Sequence, residues 1–81
     1  MRPLLEDLAY YDLLNSIGEK VKELRKGKGI SYKKLASEVG ISRNCYNNLE
    51  RGETNFQFET LYRIISYHHI TVFDFFESLK R

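Results

Sequence analysis

The sequence predicts a compact all-α domain of five helices, and three observations support that fold class. Apolar residues recur every three or four positions through most of the 81-residue chain, as they do along one face of a helix. The interruptions of this pattern coincide with serine and glycine residues, which commonly begin and end helices. The one strand-like segment, residues 70–73, is too short and isolated to pair.

The first main helix is predicted over about residues 13–26. Apolar residues fall at helical spacing from Leu14 to Leu24, and the pattern ends at Gly27 and Gly29. A glycine following such a pattern is a common helix end, so the helix should stop there.

An added N-terminal helix is predicted over residues 3–11. Pro3 suits the first turn of a helix, and the leucines after it are spaced helically. We therefore divide the chain into an N-terminal extension over residues 1–12 and a main domain over residues 13–79.

Two short helices follow, each preceded by a serine that can cap it. Ser31 can accept a hydrogen bond from the first turn of a helix over about 31–39, which Gly40 can end in a left-handed conformation. Ser42 can cap the next helix, over about 43–51, in the same way.

Two further helices complete the predicted fold. After a polar loop at residues 53–55, apolar residues at helical spacing predict a fourth helix from about residue 58 to 69. The same pattern predicts a fifth helix over about 72–79.

The composition indicates a globular protein of the cytosol. Hydrophobic residues make up 42% of the chain and charged residues 30%, and no apolar run approaches the ~20 residues of a membrane span. Acidic residues near the N-terminus do not fit a signal peptide. The single cysteine, Cys45, permits no internal disulfide and is too little for a zinc site, so we expect neither metal nor cofactor.

No catalytic pattern is recognisable in the sequence. It contains no glycine-rich phosphate loop, no metal-ligand spacing, and no nucleophile followed by a base and an orienting residue in a known order. We therefore do not expect an enzyme.

Positive charge is concentrated in one part of the chain. Residues 19–51 carry nine lysines and arginines against four acids, whereas the rest carries four against seven. A basic region suits a polyanionic partner such as nucleic acid, although a solvated surface gives the same pattern.

The two short helices over residues 31–51 have the spacing of a helix-turn-helix. Only Gly40, Ile41 and Ser42 separate them, which allows the second helix to enter a DNA major groove while the first crosses the backbone. Ala36 is small enough for the two helices to approach closely.

The outer face of the second of these helices predicts base recognition. Once the apolar residues are assigned to the inner face, Arg43, Asn44, Asn47 and Asn48 remain outside. Arginine forms paired hydrogen bonds to guanine and asparagine to adenine. The alternative is an ordinary exposed polar face.

Both short helices carry charges opposite to those that the helix dipole favours. Each begins with basic residues and has its acid, Glu38 or Glu50, near its end, an arrangement for which stability gives no reason. DNA phosphates at the helix N-termini would supply the missing negative charge. We therefore expect Ser31, Lys33 and Ser42 to contact the DNA backbone.

These segments resemble the phage-repressor-like, or Cro-type, helix-turn-helix family. The matching stretches are IGEKVKELRKGKGIS, LASEVGIS, NNLERGETN and ETLYRI, spanning about residues 17–76. The resemblance implies a five-helix fold, homodimeric binding to a two-fold symmetric operator in double-stranded DNA, and regulation of nearby genes. It also implies DNA-backbone contacts at four positions: Tyr32, Arg51, Thr54 and Asn55.

The sequence departs from the family pattern at three places, the third being a pair of adjacent residues. Tyr32 stands where the family usually has a glutamine that supports the recognition helix. Phe56 replaces a frequent proline, and residues 55–58 (NFQF) look more like the controller proteins of restriction-modification systems. His68 and His69 stand where leucine and glycine are usual, so His68 should point at the core.

The fifth helix predicts a dimer interface. With Phe75 and Phe76 assigned to the core, Phe73 falls on a position that is usually polar in the family. An exposed Phe73 beside Ile65 and Leu79 would form an apolar patch of the kind found at subunit contacts. The alternative is that Phe73 only covers a helix junction.

A rival function is that of an antitoxin, in which the same domain binds a toxin protein as well as its own promoter. A second small protein would then be a partner in addition to DNA. Neighbouring genes would distinguish this role from that of a repressor or controller.

Overall fold

The computed structural model describes residues 4–53 and 56–79, with side chains over 9–53 and 56–79. The described residues form helices and connecting turns without a strand, so the predicted all-α class is confirmed. No helix in these ranges is long and apolar enough to cross a membrane. The helices are α1 (Leu4–Lys28), α2 (Tyr32–Val39), α3 (Arg43–Glu50), α4 (Phe58–Tyr67) and α5 (Val72–Glu77).

The first helix is longer than predicted. The predicted helices over 3–11 and 13–26 form one continuous helix, and the expected boundary after residue 12 falls inside it. The predicted break between two helices was wrong because no proline or glycine between Leu4 and Ile17 interrupts the backbone. The division into an N-terminal extension and a main domain stays a prediction. Pro3 lies outside the described residues. At the other end, Gly27 remains helical and the turn comes at Gly29, whose φ is +70°.

The caps predicted for α2 and α3 are confirmed. The Ser31 hydroxyl accepts a hydrogen bond from the Lys34 amide at 3.1 Å, and the Ser42 hydroxyl accepts one from the Cys45 amide at 3.0 Å. Gly40 ends α2 in the left-handed region with a φ of +80°. Caps of this kind contribute about 1 kcal/mol each, so the turn between the two helices is fixed locally.

All five helices contribute to one core. Tyr46 on α3 and Phe75 on α5 are its largest members, and both are fully buried. Burial of apolar side chains, aromatic and aliphatic, is the main favourable contribution to the stability of such a core. The other fully or nearly fully buried hydrophobic residues are Leu14, Ile17, Val21, Leu35, Ala36, Leu49, Leu61, Ile64 and Ile65.

The burial of Ile65 corrects one prediction about the surface. Phe73 is 84% exposed as expected, and Leu79 is partly buried, but Ile65 has no exposed surface. Ile65 therefore cannot share a surface patch with Phe73. Its position on α4 turns it inward beside Ile64, where both side chains pack into the core.

His68 lies at the junction of α4 and α5. It caps the end of α4, and its ring packs edge-on against Tyr67 with 5.3 Å between centroids. The imidazole is partly buried, as predicted, and its Nε2 atom is buried without a hydrogen-bond partner among the described residues. His69, which is exposed, adopts a left-handed φ of +60° and ends the helix earlier than predicted.

The environment of His68 predicts a loss of stability in mild acid. Burial, with the positive charge of Lys28, lowers the pKa of His68 below its ordinary 6.5. The unfolded chain then binds the proton more readily, so the free energy of unfolding should decrease as the pH falls from 6.5 through the lowered pKa. Thermal unfolding followed by circular dichroism between about pH 8 and 5 measures this decrease.

Two variants isolate the contribution of His68. His68→Leu should flatten the pH dependence over this range. His69→Gln, at an exposed position, should retain most of it, because the charge of His69 is the smallest of the causes that lower the pKa of His68. An equal slope in wild type and His68→Leu would assign the acid sensitivity to another group.

Candidate nucleic-acid interface

The turn between α2 and α3 holds the two helices in fixed relation. The carbonyl of Ala36 accepts hydrogen bonds from the amides of Gly40 and Ile41, both at 3.0 Å. Ala36 itself is fully buried, as its small side chain predicts. The inner face of α3 packs into the core through Tyr46 and Leu49, which leaves the opposite face outward.

The four predicted base-reading residues lie on α3 as expected. Arg43 and Asn44 are exposed in its first turn, and Asn47 and Asn48 are half-buried in the next. None of these four side chains has a hydrogen-bond or ion-pair partner within the described residues. They are polar groups that the domain itself leaves available for an external partner.

The predicted backbone-contacting residues are only partly described. Ser31 and Ser42 lie at the N-termini of α2 and α3, where each accepts a capping hydrogen bond and can still donate its hydroxyl proton. Lys33 is exposed and Tyr32 is half-buried. Two further members of the set, Thr54 and Asn55, lie outside the described residues.

Arg51 is exposed and paired with Glu53. Its Nη2 atom lies 3.1 Å from a carboxylate oxygen of Glu53, and both side chains are more than half exposed. Such a surface pair contributes less than about 1 kcal/mol, so Arg51 can exchange this carboxylate for a phosphate at little cost.

Glu38, the acid at the end of α2, has partners within the domain. The Tyr67 hydroxyl donates a 2.6 Å hydrogen bond to Glu38, and the Lys34 ammonium lies 3.0 Å from its other oxygen. These contacts lower the pKa of Glu38, with the hydrogen bond from Tyr67 as the largest cause. The Lys28 ammonium lies 5.3 Å from the centre of the Tyr67 ring. Lys34 is thus paired internally, whereas Lys33 is not.

Glu50, the acid at the end of α3, forms a two-point ion pair with Arg25 of α1. The Arg25 Nε atom donates to Glu50 at 2.7 Å and Nη2 donates to its other oxygen at 3.2 Å. The Arg25 Nη1 atom also donates to the Ile30 carbonyl at 2.9 Å, which ties the loop before α2 to the same group. The exposed fractions of the Arg25 and Glu50 side chains are only 13% and 6%.

These two acids correct the argument drawn from the helix dipole. The prediction that stability gives no reason for acids at the ends of α2 and α3 was wrong, because Glu38 and Glu50 both have specific partners. Arg25 is likewise neutralised by Glu50 and does not add free positive charge to the basic region. The absence of acids from the first turns of both helices remains as observed.

Sequence reasoning overlooked the Arg25–Glu50 pair, although one signal was present. Glu50 lies four residues after the buried Tyr46, so the two share a side of α3 and Glu50 is directed partly inward. The Tyr46 hydroxyl is buried without a hydrogen-bond partner in the described part of the chain, and burial raises the pKa of Tyr46. Tyr46 therefore remains neutral in the core.

Gly18 allows α1 to touch the backbone at the end of α3. A methyl group at Gly18 would lie 2.5 Å from the Glu50 carbonyl oxygen and 2.6 Å from that of Leu49. These distances are shorter than any ordinary contact, and the atoms they involve are backbone atoms. The position of α3 against α1 therefore requires a glycine at residue 18.

The fold and the site together define a class of protein, that of helix-turn-helix proteins. In this chain the second helix of the motif presents arginine and asparagine side chains without partners among the described residues. A family model described as Helix-turn-helix matches residues 21–75. The chain belongs to this helix-turn-helix family, of the Cro and CI type, whose members are DNA-binding transcription regulators. The predicted family is thereby confirmed.

One similar protein is the HTH-type transcriptional regulator DdrOP3 of Deinococcus deserti. The two chains are 39% identical over 62 residues, which are 76% of this chain and 48% of that relative. The chain thus spans about half the length of the relative it matches.

Gly18→Ala should destabilise the domain even though alanine is the better helix former. The clash with the end of α3 should lower the free energy of unfolding by about 1–3 kcal/mol. Gly27→Ala is the matched control, because a methyl group there meets nothing within 4 Å and should instead raise stability by about 0.5–1 kcal/mol. Urea denaturation measures both; equal stabilisation by the two variants would disprove the close approach.

Glu50→Ala should leave the Arg25 guanidinium without its partner and lower the free energy of unfolding by about 3 kcal/mol. Glu53→Ala removes an exposed carboxylate from the segment just after α3 and should cost less than about 1 kcal/mol. The same urea titration compares the two variants. A similar small cost for both would mean that the Arg25–Glu50 pair does not hold α3.

Proposed function

We propose that this chain binds duplex DNA sequence-specifically as a homodimer and regulates transcription as a repressor or controller. One observation carries the proposal. The outer face of α3 presents Arg43, Asn44, Asn47 and Asn48 without internal partners, on a helix whose other side is fixed to α1. Unpaired donors and acceptors on a rigid helix suit hydrogen bonding to base edges.

The order of these residues along α3 favours entry of the helix by its N-terminal end. Arg43 and Asn44 open the helix and Asn47 follows one turn later, which is the part of a recognition helix that meets base edges. Arg43 suits guanine and the asparagines suit adenine.

Contacts to the DNA backbone are supported by the N-termini of α2 and α3. Neither helix has an acid in its first turn, so the amides there can face phosphates without repulsion. Lys33 is exposed in the first turn of α2. It has no carboxylate partner among the described residues, whereas Lys34 is paired with Glu38. These groups would fix the position of the domain on DNA without reading sequence.

A homodimer can recognise an inverted repeat in duplex DNA, because each copy of the chain binds one half-site. Two symmetric recognition helices would enter successive major grooves about 34–36 Å apart on one side of the duplex. The relative from Deinococcus deserti is a transcriptional regulator, and we extend that role to this chain.

Arg43→Ala and Lys33→Ala should affect DNA binding in different ways. An operator is first selected from a random duplex pool, and each variant is then titrated against it at several salt concentrations. Arg43→Ala should cost about 1–3 kcal/mol and relax the preference at one base pair, because it removes a base contact. Lys33→Ala should weaken binding to all sequences alike and reduce the salt slope by about one.

Two results would contradict the proposed function. A wild-type protein that binds no duplex at low salt, or shows no preference within the random pool, is not a sequence-specific regulator. A change of preferred sequence with Lys33→Ala and none with Arg43→Ala would reverse the proposed docking.

A further inference from the structure

An apolar groove lies between the N-terminal half of α1, the start of α4, and α5. Its exposed walls are formed largely by Tyr10, Leu13, Phe56, Phe58 and Phe76, which we call the aromatic groove. Tyr10 and Leu13 are each 45% exposed and Phe58 is 58% exposed. The domain therefore leaves a recess lined by aromatic rings open to solvent.

Phe73 projects from α5 next to this groove. With 84% of its surface exposed, it is the most exposed large hydrophobic side chain in the described part of the chain. Leu13 and Phe76 line both the aromatic groove and the neighbouring depression that contains Phe73, so the two features share a wall. One surface of the domain therefore carries both a projecting phenyl ring and an apolar recess beside it.

We propose that the aromatic groove receives Phe73 of a second copy of this chain, and that the two copies exchange Phe73 reciprocally. A two-fold axis near the shared wall of Leu13 and Phe76 brings each Phe73 over the groove of the partner. An isologous interface needs this self-complementary arrangement of projection and recess. The inference rests on the proposed function, which requires two copies of the chain.

The size of the surface fits a second copy. The exposed parts of Tyr10, Leu13, Phe58 and Phe73 together amount to about 400–500 Å² of mainly apolar area. This apolar area alone is about half of the ~800 Å² per partner of a standard protein interface.

The charge around the surface argues against nucleic acid as the occupant. Glu77 lines the depression that contains Phe73, and Asp74 is exposed in the next position along α5. Acids beside this apolar surface repel phosphates.

The location of the groove is compatible with DNA binding by both copies. None of its residues belongs to α2 or α3, so filling it covers neither recognition helix. Tyr10, Leu13 and Phe76 also lie outside residues 21–75, the region matched by the family model. Part of the groove is therefore built from residues beyond the matched region, whereas Phe56 and Phe58 lie within it.

Cysteine crosslinking between different chains tests the reciprocal exchange. In a Cys45→Ala background, Phe73→Cys and Phe58→Cys proteins are purified separately, mixed without DNA, and oxidised mildly. We expect disulfide-linked heterodimer several-fold above the homodimer formed by either protein alone, because only the mixture brings a residue 73 to a groove residue of the partner. Mass spectrometry of the linked peptide identifies the pair.

Tyr62→Cys provides the matched control. Tyr62 lies one turn after Phe58 on α4 and is similarly exposed, at 51%, but does not line the groove. The proposal would be overturned if Phe73→Cys crosslinked to Phe58→Cys no more than to Tyr62→Cys. Preferential self-linking of Phe73→Cys would also overturn it, because that result would place α5 against α5.

Sedimentation and DNA binding of Phe73→Ala complete the test. The exposed position of Phe73 should leave the helical circular dichroism unchanged, while dimer dissociation should become several-fold easier than in wild type or Tyr62→Ala. Binding to the complete inverted repeat should weaken and binding to a half-site should not. The reciprocal exchange would be overturned if Phe73→Ala were as dimeric as wild type, or if the wild-type protein were monomeric at all concentrations. A wild-type protein that dimerises but binds no DNA would overturn the proposed function alone.

Discussion

The pairing of Arg25 with Glu50 is the interaction that fixes the helix-turn-helix against α1. It joins α1 to the end of α3, and its third hydrogen bond fixes the Ile30 carbonyl in the loop that leads into α2. Because both charges are largely removed from water, either one alone would be costly to bury, so the two helices must remain together. Gly18 makes the same junction possible sterically, by letting the backbone of α3 lie directly on α1.

Charges in this domain therefore divide into two groups with different roles. Some pair internally: Arg25 with Glu50 joins α1 to α3, whereas Lys34 with Glu38 forms an exposed pair within α2. Those without a partner among the described residues, such as Arg43, remain available at the surface. Net charge alone does not distinguish the two groups, since basic residues of both kinds occur between residues 19 and 51.

Local features of the fold could be predicted from the sequence, and contacts between distant residues could not. Ser31, Ser42 and Gly40 act within one helical turn of their own positions, so their residue types were sufficient. The Arg25–Glu50 pair joins residues 25 positions apart, which neither periodicity nor capping specifies. The burial of Ile65 is a different case, because it follows Leu61 by four residues and so belongs to the apolar face of α4; placing it in a surface patch was wrong against that periodicity.

Because α1 is one continuous helix, it fixes the distances between the groups along its axis. Tyr10 and Leu13, in the aromatic groove, lie on the same unbroken helix as Gly18 and Arg25, which hold α3. The distance along the axis from Tyr10 to Arg25 is about 22 Å and can change little without breaking backbone hydrogen bonds. In the proposed dimer this stiffness transmits the geometry of the subunit contact to the recognition helices. The dimer would then bind only operators whose two half-sites are separated by a narrow range of distances.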